Sequence, residues 1–112
     1  MSTLPRVSDV AEARADAERR GARLHQVDTA ALATKREVLE AIAAALSFPE
    51  HAGRNPDALF DALRDLSWLP GEPVLALTEP TGLDERTWRG IERAIADAAR
   101  ADTSRLHAVV VS

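Results

Sequence analysis

The chain has 112 residues, of which 46% are hydrophobic and 29% charged, with no cysteine and a formal net charge of -4. Such a length sustains one core and leaves no room for a second domain, and the missing cysteines exclude both a disulfide framework and thiolate chemistry. The acidic balance disfavours nucleic acid, whose recognition calls for concentrated Lys and Arg, and favours a basic partner.

Residues 1–7 are expected to fray. Ser8 as an N-cap and Gly21 as a stop bracket an Ala-rich helix over 8–20, whose apolar face is thin, built from Val7, Val10 and alanines. The stretch MSTLPRVSDVAEARADAERRG has neither the basic start nor the apolar run of a signal peptide, and no later run could span a bilayer. A cytoplasmic protein with no membrane partner is the expectation. Residues 1–21 read as an N-terminal extension, partly helical, ahead of a domain over 22–112.

Ala22–Asp28 (ARLHQVD) lies between a glycine and a helix start and reads as a strand. Thr34 then opens a capping box with Glu37, and Val38, Ile42, Ala45 and Leu46 follow at helical spacing, so a helix is predicted to end near Ser47. Pro49 and Gly53 mark a loop. Asn55 followed by Pro56 starts the next helix, because Asn caps orphan amides and Pro suits the first turn. Leu59, Leu63 and Leu66 form its buried stripe. SWLPGEP breaks that helix and leads into PVLALTE, an apolar run typical of an interior strand, closed by Pro80 and Gly82. From Leu83 to about Ala101, Trp88, Ile91, Ile95 and Ala98 recur at helical spacing, and RLHAVVVS ends the chain as a Val-rich strand. Three apolar strands joined by helical crossovers imply an α/β fold with a three-stranded parallel sheet and helices packed around it.

The second helix carries an oddity. Asp57, Asp61 and Asp65 recur every four residues, within about 80 degrees of one another and opposite the leucine stripe. Like charges at this spacing cost about 0.2 to 0.5 kcal/mol per pair, and Asp57 in the first turn recovers a similar amount from the helix dipole. That cost is small enough for an ordinary solvated face, and Arg64, flanking Asp61 and Asp65, could neutralise part of the stripe.

The whole motif is more specific than the stripe. FPEHAGRNPDALFDALRDLSW resembles the signature of the barstar family, intracellular inhibitors of microbial ribonucleases, through Pro49, Glu50, Gly53, Asn55, Asp57, Ala58, Leu59, Phe60 and Asp61 in the family's spacing. The resemblance extends from the strand near Leu24 to the C-terminus. It implies a barstar-like fold of three parallel strands with helices around them, and a monomer that plugs the cationic active site of a secreted barnase-type ribonuclease one to one. Asp61 then matches the central acidic contact and Asp57 a second acid one turn earlier. His51 lies where the family often has a stacking aromatic, Gly53 and Asn55 match positions of close backbone approach, and Phe60 matches an aromatic at the edge of the surface. The last helix of the family adds another acid, for which Asp97 is favoured over Asp102. Pro56, Arg54 and Leu66 depart from the better-known pattern, Leu66 standing where an aromatic is found.

Two other readings compete. The same fold could dock a different basic protein through its acidic surface. Alternatively, Asp57, Asp61 and His51 could share a proton as an acid/base enzyme. No glycine-rich phosphate loop, nucleophile elbow or metal spacing accompanies them, so neither catalysis nor a cofactor or metal is expected. His25 and His107 fall in strands and Trp68 and Trp88 beside leucines, and all four read as structural.

Overall fold

The computed structural model describes residues 4–48, 56–66, 68–69, 71–100 and 105–111. Its elements in chain order are β1 (Arg6–Val7), α1 (Val10–Arg19), β2 (Arg23–Val27), α2 (Lys35–Ala45), α3 (Pro56–Asp65), β3 (Pro73–Thr78), α4 (Glu85–Ala99) and β4 (His107–Val111). The sheet is parallel throughout, in the order β1-β4-β3-β2, with Leu75 opposite both His25 and Ala108.

The sheet therefore has four strands, one more than expected. The added strand is β1, where Arg6 and Val7 pair with Val110 and Val111, and the Val110 N–H donates to the Pro5 carbonyl at 2.9 Å. Fraying of the whole stretch 1–7 is thus corrected, since Leu4 is also buried. Two residues carry no periodicity, so only pairing with the distant C-terminal strand reveals them.

Topology decides where the helices lie. The step from β1 to β2 crosses the sheet in one direction, whereas β2 to β3 to β4 returns in the other. Right-handed crossovers then require α1 on one face and α2, α3 and α4 on the opposite face. The side chains obey this alternation. Ala13 of α1 packs with Ala76, Val109, Leu24 and Val7, while Leu75, Leu77, Val27, Ala108 and Val110 point the other way, into a core shared with Val38, Ile42, Leu63, Ile91 and Ile95. Every residue of β3 except its last is buried, as a central strand covered on both faces must be. Trp88 also belongs to this core, and Trp68, half-buried, packs edge-on against Phe48.

Caps define the helix ends. Thr34 and Glu37 form the expected capping box. The α1 cap is Asp9 and not Ser8: the Asp9 carboxylate accepts from the Glu12 N–H, and Glu12 reaches back to the Ser8 N–H, both at 2.9 Å. Gly21, at φ 66°, ends α1 in a Schellman turn, with Ala22 N–H donating to the Ala17 carbonyl. Helix α2 closes the same way through Ser47, at φ 52°, without a glycine. Its last carbonyls are taken by side chains, Ala45 by the His25 ring at Nδ1 and Leu46 by the Trp68 indole N–H.

Two ion pairs join the N-terminal strand to the rest of the domain. Arg6 donates to Glu92 of α4 at 3.3 Å and lies 3.2 Å from Glu79. The Glu92 side chain is only 5% exposed, and this guanidinium is the cation it meets. Removing one member of a buried pair strands the other. We expect Arg6→Ala to cost about 2 to 3 kcal/mol in urea denaturation, whereas Arg36→Ala, in an exposed pair with Glu40, should stay within about 0.5 kcal/mol of wild type.

The caps also set a pH dependence. Hydrogen bonds from the Ala33 N–H and the Thr34 hydroxyl hold Glu37 below its ordinary pKa, and the Thr87 hydroxyl and N–H do the same for Asp84. Arg20 and Arg19 lower Asp16. Groups depressed on folding bind fewer protons in the native state, so their contribution is complete above the ordinary carboxylate range and disappears as pH falls through the native values. Thermal melts should therefore shift down between about pH 5 and pH 3, and Asp84→Asn should flatten part of that slope.

Candidate functional site

Helices α3 and α4 lie side by side on one face of the sheet. Leu63 on α3, Leu66 just after it, and Ile91 and Ile95 on α4 are buried in the same core, which fixes the two helices against each other. Leu66 holds a left-handed conformation at φ 45° immediately after α3. The burial of its side chain offsets the strain of that backbone.

With the leucines turned inward, the outer side of α3 faces α4 across a solvent-open concavity of about 440 Å³. Phe60, Asp61 and Arg64 line one side, and Ala94 and Asp97 the other. Two candidate acids nearly forty positions apart in sequence thus share one hollow. Phe60 is half-buried and packed on the core.

Each acid keeps an arginine one turn further along its own helix. Arg64 donates to Asp61 at 2.9 Å and Arg100 to Asp97 at 2.6 Å. The carboxylates are nevertheless open to solvent, the Asp61 side chain 74% exposed and Asp97 53%. Pairs in such surroundings are worth little and exchange partners readily, because water screens both ions in every arrangement. A cation arriving from outside meets carboxylates that point outward and are held by replaceable contacts.

The other candidates fall differently. Asp57 lies in the first turn of α3, with its side chain beyond what the structure describes. Asp65 is exposed in the last turn. His51, Gly53, Asn55 and Asp102 lie outside the described residues. Ala94, which also lines the hollow, was not singled out in the sequence. The Asp97–Arg100 pair was legible in ADAAR as an i,i+3 spacing.

The two strand histidines are engaged. His25 meets the Ala45 carbonyl at 3.0 Å and the His107 ring lies 3.2 Å from the Arg20 guanidinium. Among the described residues, no three His, Asp or Glu side chains gather as a metal site would require, and no helix is long and apolar enough to cross a membrane.

Compared with known families, residues 22–112 match the model of barstar, the barnase inhibitor. The chain belongs to the barstar family. That match covers α2, α3, β3, α4 and β4 together with β2, whereas β1 and α1 precede it. Barstar-family membership carries ribonuclease inhibition of the barnase type as the family's activity, and members act as inhibitors and not as enzymes. Searches among curated proteins and among solved structures each returned no match.

In this barstar-family chain the exposed pairs of the hollow should matter little for folding. Arg64→Ala is expected to change unfolding free energy by no more than about 0.5 kcal/mol in chemical denaturation.

Proposed function

We propose that this chain inhibits a guanyl-specific microbial ribonuclease by seating the acidic hollow between α3 and α4 in the enzyme's cationic cleft. The observation that carries this reading is the convergence of Asp61 and Asp97, from two helices, on one outward-facing concavity. An enzyme that binds RNA must concentrate positive charge where the phosphates sit. Two carboxylates fixed on rigid helices present anionic oxygens to that charge without having to be ordered first.

The mechanism is one of exchange. On approach, the enzyme's cations take over Asp61 and Asp97, while Arg64 and Arg100 swing to solvent or to partner acids. The weak internal pairs cost little to break, and the new ones form in a desolvated interface where charge-assisted hydrogen bonds are stronger. Long-range attraction between the acidic chain and a basic enzyme speeds encounter and weakens as salt screens it. In this scheme Asp57 supplies a second acid at the start of α3, and His51, Gly53 and Asn55, just ahead of it, meet the enzyme through stacking and close backbone approach. Phe60 adds an apolar side chain to the lining of the hollow. The complex is one to one, and the inhibitor resides in the cytoplasm of a bacterium, protecting it from a ribonuclease made for export.

Titration of a guanyl-specific ribonuclease with the purified chain should abolish RNA cleavage at equimolar ratio. Undiminished cleavage across several such enzymes would instead favour docking to a different basic protein. Within the complex, Asp61→Ala should weaken binding most, by more than about 2 kcal/mol as interface hot spots do, with Asp97→Ala losing less. Calorimetry showing an unchanged dissociation constant for Asp61→Ala would remove it from the interface.

A further inference from the structure

The outer face of α4 carries charge of the wrong sign for a surface that meets only cations. Arg86, Arg89, Arg93 and Arg100 are all exposed on this one helix of a chain whose net charge is -4. Arg89 is paired with Glu85 and Arg100 with Asp97. Arg93 makes no ion pair with any described residue. Arg86 only lies in the field of Asp84, whose carboxylate is already engaged by Thr87. Two guanidinium groups are thus left available to an outside acid.

Their placement is ordered. Arg86, Gly90, Arg93 and Asp97 follow at spacings of four, three and four, which sets them within about 60 degrees of one another along about 16 Å of helix. Asp97 at one end lines the hollow, and Gly90 sits one turn before Ala94, which also lines it. The stripe is therefore a direct continuation of the concavity towards the start of α4.

Gly90 is the odd member. Glycine is among the poorest residues for a helix interior, and here it lies in the middle of the fifteen-residue α4. Nothing in the fold asks for it: a Cβ at this position would meet no atom within 4 Å, and its backbone shows no left-handed conformation. What the missing side chain provides is bare helix backbone facing outward, the surface that another chain can approach most closely.

We propose that the binding surface extends from the Asp61–Asp97 hollow along α4 through Arg93 and Gly90 to Arg86, and that the partner covers it with an acidic segment in backbone contact at Gly90. This rests on the inhibitory reading above and specifies its partner. The bound ribonuclease carries carboxylates about 6 to 16 Å from its cationic cleft, the distance the helix sets between Asp97 and the two arginines. The change of sign along the surface fixes register and excludes basic enzymes that lack the acidic flank.

Three variants test this against a guanyl-specific ribonuclease that the wild-type chain inhibits, with binding followed by calorimetry and stopped-flow association. Arg93→Glu should weaken binding at least tenfold. Arg14→Glu, the same charge change on α1 at the opposite face of the sheet, should alter it less than twofold. Gly90→Gln should raise the melting temperature by about 2 to 4 °C, because Gln is a better helix former than Gly, yet weaken binding at least tenfold. If Arg93→Glu behaves as Arg14→Glu and Gly90→Gln binds as wild type while Asp61→Ala still fails, the interface ends at the hollow and the extension is wrong. Tighter binding by Arg93→Glu would show a cationic neighbour there and overturn it equally. Loss of any effect from Asp61→Ala removes the underlying inhibitory reading and the extension with it.

Discussion

The fixed hand of the crossovers is the constraint on which the rest of this molecule depends. Because β2, β3 and β4 follow one another across the sheet in one direction, the segments between them must all lie on one face. Helices α3 and α4 become neighbours for that reason, although β3 separates them in the chain. Their buried leucines and isoleucines then settle their rotation, and the acids on their outer sides are brought to a common hollow. The site is a by-product of how the core is filled.

Electrostatics alone would not have produced this arrangement. Asp61 and Asp97 gain nothing from proximity, and their arginines relieve the repulsion only weakly at an exposed surface. A surface that is neutral to slightly unfavourable for folding is tolerable when the core beneath it is continuous, as it is here from Val38 to Val110. The buried core and the proposed binding surface occupy opposite sides of the same two helices, which lets one be altered with little disturbance to the other.

Much of the fold was legible in the sequence where local chemistry determines it. Thr34 with Glu37 and Pro56 mark helix starts because caps are short-range devices, and PVLALT and HAVVV read as strands because an inner strand covered on both faces is apolar at nearly every position. What stayed hidden was non-local or exceptional. The two residues of β1 have no pattern of their own, the α1 cap shifted from Ser8 to Asp9 because Glu12 sits where it can support the acid, and Ser47 and Leu66 adopt left-handed backbone usually left to glycine. The acidic side of α3 was visible as a four-residue rhythm. That Asp97 opens onto the same hollow was not, because it follows from packing between elements separated by a strand.

The tether between Arg6 and Glu92 makes two distant stretches of the chain depend on each other. Position 92 lies within the stretch shared with the family, yet the cation that makes an acid there tolerable belongs to a strand outside it. An inward carboxylate lacking its guanidinium is a defect, so the first strand is bound to the domain by charge as well as by its pairing with β4. Severing the arm would accordingly leave a carboxylate without its counterion inside the stretch that matches the family.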